Sequence, residues 1–297
     1  MRRSLLAALV LGPAALLLMT DAGVFSSTGV PVTAATASNP VAGVCDSKCS
    51  PAWLDANLKL NQVQLVGTNA SYKQRPESGV LTIIRMGGRK ENAEALDFGQ
   101  PALTAQLDGD VRALSFDIVH DPKGGTFRNP AIAGMAMSLL AADYVAAMKQ
   151  PGFKVMHVPD VDYRSSCLAL RDCLRAVATW SRAHPRHLPI VITLRPNDEK
   201  TPMPGAVTPP SFDKAAWAAL EQDVHSAFRD DQMVTPAAVK GAHTSLREAV
   251  LANGWPMLGA ARGKVLFVLE GKAAATYRGS LMFAVRKESH PDSAIVI

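Results

Sequence analysis

Six short stretches rich in apolar residues read as strands: 61–68 (NQVQLVGT), 111–119 (VRALSFDIV), 153–158 (FKVMHV), 188–194 (LPIVITL), 264–270 (KVLFVLE) and 280–285 (SLMFAV). Most are near-continuous apolar runs rather than strict alternations, the pattern of strands buried on both faces. Helical periodicity lies between several of them. Residues 168–184 set Leu170, Leu174, Val177 and Trp180 on one face, and residues 212–229 do the same with Trp217, Leu220, Val224 and Phe228. Residues 245–254 start with a serine and end at Gly254, which fits N-cap and C-cap chemistry. Strands alternating with helices predict a parallel sheet. Six strands do not close an eight-stranded barrel, so the pattern predicts either an incomplete α/β barrel or an open sheet. No internal repeat is evident.

Composition narrows the class. The chain has 297 residues, enough for one large α/β domain or two small ones, with 48% hydrophobic and 19% charged residues. Its net charge of +5 is scattered, with no Lys/Arg run, which argues against nucleic-acid binding and suits an anionic lipid headgroup better. Met1-Arg2-Arg3 followed by an apolar run over 5–19, broken by Gly12-Pro13, has signal-peptide length and is short for a membrane span. With the small residues Ala35-Thr36-Ala37 downstream, residues 1–37 read as a signal peptide and leader. They predict export to the periplasm, cell envelope or medium; an uncleaved anchor is the alternative. Val44 before Cys45 argues against a lipoprotein cysteine. Export favours disulfides. The cysteines form two close pairs, Cys45/Cys49 and Cys167/Cys173, with three connectivities open. A local Cys167–Cys173 bridge requires Cys167 to precede the helix. No histidine accompanies them at zinc-ligand spacing.

An α/β barrel keeps its chemistry at strand carboxyl ends. Those ends offer Asn69, then Ser115 and Asp117, then His157 with Asp160 and Asp162, then Arg195, Asn197 and Asp198 beside a proline-rich loop over 195–211. A histidine, a carboxylate and an arginine converging on one crevice suit a phosphoryl substrate, with the histidine as acid or base and the arginine as oxyanion clamp. The plainer reading is a satisfied polar rim. His120 is either a substitute base or a loop histidine beside Asp121; His184 and His187 read as solvent-side. Asp160 and Asp162 read as local caps or pairs, and Trp255 and Phe267 as core or rim.

Five segments together carry a resemblance: LNQVQLVGTNASYK, LTAQLDGDVRALSFDIVHDPKGG, PGFKVMHVPDVDYRSSC, HLPIVITLRPND and GWPMLGAARGKVLFVLE. In this order, from about Cys45 to Ile297, the chain resembles the secreted, Ca²⁺-dependent phosphoinositide-specific phospholipase C family of bacteria and fungi. The resemblance implies a TIM-barrel-like phosphodiesterase fold of the α/β class. One domain would span 38–297, with about six of the eight strands and a short carboxyl end relative to the family. It implies attack by the inositol 2-hydroxyl on the adjacent phosphorus, release of diacylglycerol and formation of a cyclic inositol phosphate. Two histidines act as acid and base, and Ca²⁺, held by an asparagine and acidic side chains, lowers the hydroxyl pKa.

Four positions depart from that pattern. The first catalytic histidine falls on Asn69, the metal-binding asparagine on Ala70, one metal-binding glutamate on Ser115 and another on Arg195. Asp117 and His157 match. Losing one acid/base group typically costs about 10²–10⁴-fold in rate. The resemblance therefore implies impaired catalysis and weak or absent Ca²⁺ binding. Calcium-independent relatives of the superfamily are similar in using arginine where the metal would be. Arg195 is accordingly expected to pair with Asp117 in the vacated metal position, and Asp117, Arg195 and Asn197 to contact substrate. The implied partner is a phosphoinositide or inositol phosphate met at a membrane surface by a monomer, without nucleic acid. The alternatives are a non-catalytic headgroup-binding pseudoenzyme and the truncated product of a damaged gene.

Overall fold

The computed structural model describes residues 50–252 and 254–284. Five apolar segments pair into one sheet: β1 (Ala113–Asp121), β2 (Gly152–Val155), β3 (Ile190–Pro196), β4 (Val265–Leu269) and β5 (Phe283–Ala284). Their order is β2-β1-β3-β4-β5; β1, β3, β4 and β5 run parallel, and β2 runs antiparallel along β1. The α/β class holds, and among the described residues the sheet is open.

Period-two alternation divides the sheet into two faces. Leu114, Phe116 and Ile118 of β1, Ile190, Ile192 and Leu194 of β3, and Val265, Phe267 and Leu269 of β4 point into one core. The helices Leu170–Ala183 and Lys214–Ala227 cover it with Leu174, Val177, Leu220 and Val224, as the helical periodicity predicts. On the opposite face Val191, Leu266 and Val268 join Leu60, Trp255 and Phe283 toward the strands' amino ends. The residues further along that face are Ser115, Asp117 and Arg195, and they are polar.

Two strand expectations are corrected. Residues 61–68 form no strand: a single 3₁₀ turn spans Leu60–Gln62, and Gly67 makes one isolated parallel bridge to Ala113. Its apolar positions find little to pack against, and Val66 is exposed. β2 is antiparallel, not parallel, because the helices before it do not cross over the sheet. Ala131–Met135 and Ala142–Lys149 instead build a separate core with Val80, Leu81 and Ile84. The chain re-enters β2 through Gly152, whose φ of +117° only glycine adopts readily.

Ser245 caps the Leu246–Leu251 helix through the Glu248 N–H, as expected. Cys167 and Cys173 are bridged, with Cα atoms 5.4 Å apart and Cys167 ahead of its helix. The signal peptide and leader read in residues 1–37, and the Cys45/Cys49 pair, lie outside the described residues. Removing the short Cys167–Cys173 link with Cys167→Ala/Cys173→Ala should cost about 2 kcal/mol by the chain-entropy argument. Urea denaturation of the oxidised parent and the double variant measures it; equal midpoints would contradict the expectation.

Candidate functional site

The turn after Gly67 is held against β1 by a dense hydrogen-bond net. Ala70 N–H donates to Ser115 Oγ (2.8 Å), Ser71 N–H to the Ser115 carbonyl (3.0 Å) and Ser115 N–H to Ser71 Oγ (2.8 Å). Gln106 accepts from the Thr68 hydroxyl (2.6 Å) and donates to the Ser71 carbonyl (2.6 Å). This net fixes Ala70 at φ +45°, fully buried. Left-handed backbone penalises an alanine and is tolerated by asparagine, the residue the family resemblance expects there. Ser115 thus serves the turn's backbone.

The parallel register sets Asp117 opposite Arg195 on the open face. They do not form the expected ion pair. Arg195 Nε donates to Glu270 Oε2 (2.9 Å), and Nη1 donates to Asn69 Oδ1 (2.6 Å). The physical reason is reach: the long arginine side chain extends past its neighbour to a carboxylate at the end of β4. Burial opposes the Arg195 charge, but the Glu270 bond and the nearby Asp117 outweigh it and keep its pKa raised. Asp117 is bound instead by Tyr72, whose hydroxyl donates to Oδ2 (2.7 Å). Burial raises the Asp117 pKa, opposed by His157, the Tyr72 bond and Arg195.

His157 lies two residues past β2 and bonds through Nδ1 to Asp162 Oδ2 (2.9 Å). The same oxygen meets Lys73 Nζ at 3.2 Å, with both side chains fully buried. Lys73 Nζ also donates to the carbonyls of Leu96 and Phe98 (2.7 Å each), while Asp162 Oδ1 has no partner. Burial lowers the Lys73 pKa, with Asp162 opposing. Asn69, Asp117, His157 and Arg195 therefore lie at one end of the sheet in three bonded sets, Asn69–Arg195–Glu270, Tyr72–Asp117 and His157–Asp162–Lys73.

Other candidates do not join them. Asn197 accepts from the Glu199 N–H through Oδ1 (3.0 Å), within its own loop. His120 is neither a base at the site nor a loop residue: it lies on β1, stacked on Phe153 at 4.8 Å, and burial lowers its pKa. His187 is buried rather than solvent-side, bonded to Ser181 (2.7 Å) and the Leu188 carbonyl (2.6 Å), and His184 stacks on Trp180 at 4.1 Å. Asp160 caps locally, accepting from the N–H groups of Ala131 and Val207. Trp255 and Phe267 are core residues. Sequence reasoning missed Tyr72, Lys73 and Glu270. Glu270 was legible as the charged residue ending an apolar strand; the other two looked like ordinary turn residues.

The residues do not fit a Ca²⁺ ion. Calcium takes six to eight oxygens. The two sheet carboxylates here, Asp117 and Glu270, are bonded to a tyrosine and an arginine. Among the described residues no three His, Cys, Asp or Glu side chains converge to hold a metal. The guanidinium adds a positive charge to the same cleft.

The carboxyl ends of this α/β sheet thus carry a histidine and an arginine, each held by a carboxylate. Residues 58–297 match the family model described as phosphoinositide phospholipase C, Ca²⁺-dependent, and the chain belongs to that family. Among solved structures it is similar to a calcium-dependent phosphoinositol-specific phospholipase C from a Gram-negative Pseudomonas species. Identity there is 17%, covering 74% of this chain and 60% of that one, with a TM-score of 0.46. It is also similar to the Ca²⁺-dependent phosphatidylinositol-specific enzyme of Streptomyces antibioticus, at 18% identity over 72% of this chain and 54% of that one, TM-score 0.40. The phosphatidylinositol-specific phospholipase C of Listeria monocytogenes gives 12%, 77%, 61% and 0.42 for the same measures. The chain spans about 60% of the length of the first structures it matches. No curated protein matches it.

Two measurements check the electrostatics. Asp162→Asn leaves the Lys73 ammonium buried without its counter-charge and should cost about 3–5 kcal/mol. Adding Lys73→Met should recover most of that loss in denaturation experiments, and a neutral single variant would contradict the pairing. Asp117 has a raised pKa in the folded state, so the folded protein holds that proton more tightly than the unfolded chain. Ionising it therefore costs stability as pH rises through the ordinary carboxylate range. The stability of Asp117→Asn relative to the parent should climb as pH rises through the ordinary carboxylate range and on to the raised pKa of the folded state. A pH-independent difference would show that Asp117 is not desolvated.

Proposed function

We propose that this member of the phospholipase C family recognises a phosphorylated inositol headgroup through Arg195 and turns it over poorly, without Ca²⁺. The observation that carries this reading is the Asn69–Arg195–Glu270 bond chain at the positions the family resemblance assigns to an acid/base and a metal. Because Asn69 Oδ1 accepts from Arg195, its amide presents N–H₂ to the cleft. A proton acceptor has been exchanged for a fixed donor. Asn cannot take the inositol 2-hydroxyl proton near neutral pH, so the attacking oxygen lacks its base. Glu270 and Asn69 occupy Nε and Nη1 of Arg195, which leaves Nη2 to reach a phosphate oxygen in a charge-assisted hydrogen bond.

His157 is the one acid/base group in place. Asp162 holds Nδ1, which supports Nε2 as the nitrogen offered to ligand. It can stabilise a bound phosphate or protonate a leaving oxygen, but it has no partner base across the cleft. On this reading the protein acts outside the cytoplasm as a monomer at a membrane surface, without nucleic acid; the exported N-terminal pattern and the phosphoinositide chemistry of the family support it. Among the described residues no helix is long and apolar enough to cross a membrane.

Calorimetric titration with myo-inositol 1-phosphate, with and without chelator, tests binding. Release of soluble inositol phosphate from phosphatidylinositol vesicles tests turnover. The parent should bind equally in both conditions, and Arg195→Ala should weaken binding about tenfold or more. Turnover should sit about 10²–10⁴-fold below that of a phospholipase C with both histidines. Clear Ca²⁺-dependent turnover by the parent would refute the proposal.

A further inference from the structure

Residues 130–142 (PAIAGMAMSLLAA) carry no charge, and Ser138 is their one hydroxyl. Most such segments are core, and Ile132 and Ala133 are indeed buried. Their neighbours point the other way: Met137 is 91% exposed, Leu139 94% and Met135 38%. Met86, at the end of the Ser78–Met86 helix, is 79% exposed. That helix packs on Ala131–Met135, and its Ile83 shares one cluster with Ala136 and Leu140. Single exposed apolar residues are common; several large ones contributed by two adjoining elements are not.

Backbone conformation makes the case sharper at Met137. The Ala131–Met135 helix ends with Ser138 N–H bonded to the Ala133 carbonyl (2.9 Å), the reach of a Schellman cap. The residue in the left-handed slot of such a cap is usually glycine, and here it is Met137 at φ +51°. A methionine there is penalised by its own Cβ and gains no packing in the folded protein. The residue that would serve the fold best is not the one present.

The segment also sits where the candidate site opens. It leaves the carboxyl end of β1 and is tied to Asp160, three residues past His157, through the N–H groups of Ala131 and Ile132. Asp160 also accepts from Val207 in the loop after β3. The Ser78–Met86 helix starts five residues after Lys73, on the same rim. The family is described as a phosphoinositide phospholipase C, whose substrates are lipids, and this chain's net charge of +5 complements an anionic bilayer.

We infer that Met137 and Leu139, with Met135 and Met86 beside them, insert into the acyl boundary of a phosphoinositide-bearing bilayer and set the headgroup against the Arg195 cleft. This rests on the headgroup reading above for its orientation, and on the exposed residues alone for its contact. The absence of charge along 130–142 favours hydrocarbon over a protein partner, whose interface would supply polar rim contacts.

Sedimentation with phosphatidylcholine vesicles containing phosphatidylinositol reads the partition. Met137→Gly/Leu139→Ser should lower it about tenfold or more, given the apolar area withdrawn. Met137→Gly alone should lower it too while leaving the thermal midpoint at or above the parent's, because glycine accepts the left-handed slot. Affinity for soluble myo-inositol 1-phosphate should not change in either variant. Leu139→Trp should be quenched by brominated lipid. An unchanged partition, or a tryptophan at 139 that stays unquenched on vesicles that bind the protein, overturns the inference. A lipid-free dimer that Met137→Gly dissociates would assign the surface to a second copy and overturn it as well. Failure of the parent to bind inositol phosphate, with a loop-dependent partition intact, would sink the headgroup reading and leave the membrane contact standing.

Discussion

Parallel pairing of β1 with β3 brings a carboxylate and a guanidinium to adjacent positions on the open face of the sheet. Nearest neighbours in register are not automatically partners, because side-chain length decides which atoms meet. Asp117 is short and is reached by Tyr72 from the preceding turn. Arg195 is long and spans to Glu270 on one side and Asn69 on the other. The result is a chain of directional bonds across β4, β3 and the turn, in which Glu270 Oε2 and Asn69 Oδ1 both accept from the guanidinium while Asp117 Oδ2 accepts from Tyr72. A divalent ion would have to break those bonds and approach a fixed positive charge. The register sets the problem, and the reach of arginine determines the outcome.

The same register explains how the cleft can change its chemistry while the scaffold persists. Ser115 is bonded to the turn's backbone, the Leu114–Phe116–Ile118 row fills the core behind it, and neither depends on what projects into the cleft. Core packing and backbone hydrogen bonds supply most of a domain's cooperative stability. Exposed cleft residues can therefore be exchanged at small cost to the fold. The buried Lys73–Asp162 pair is different, since losing either partner leaves the other's charge buried without its counter-charge. That pair anchors His157 through Asp162 Oδ2.

Much of this was legible in the sequence, and the failures have physical causes. Near-continuous apolar runs marked β1, β3 and β4, and helical periodicity marked Leu170–Ala183 and Lys214–Ala227, because both faces or one full stripe of these elements are buried. Residues 61–68 misled because β-rich composition says nothing about whether an edge is available; only Gly67 finds one. The direction of β2 was hidden because it depends on where the intervening helices pack, a tertiary fact. Asp117 and Arg195 lie on, and His157 just past, strands that the apolar runs marked, whereas Asn69 lies in a turn that no strand precedes among the described residues. Asp162 was legible as a local partner five residues after His157; Tyr72 and Glu270 were not legible as partners, since they come from a turn and from the end of another strand. His120 and His187 were misjudged for a related reason: an aromatic slot or a buried hydroxyl leaves no local trace.

Among the described residues, four that are not glycine adopt positive φ: Ala70 (45°), Asp110 (64°), Met137 (51°) and Asp160 (68°). For the two aspartates the conformation is tolerable, because a short polar side chain can bond its own surroundings. For alanine and methionine it is a local cost with no such return. Both costs fall on the cleft and its rim, one at its floor and one at its outer edge. Backbone shape at Ala70 is held by hydrogen bonds from Ser115 and at Ser138 by the helix cap, so it does not relax to suit the side chain. A conformation over-determined by its neighbours will outlast the residue it suits. That makes φ, rather than side-chain identity, the more durable record of what a position is built for. On that argument the turn at Ala70 keeps a backbone that an asparagine would suit, whereas Met137 holds a glycine-favouring conformation and leaves its side chain exposed.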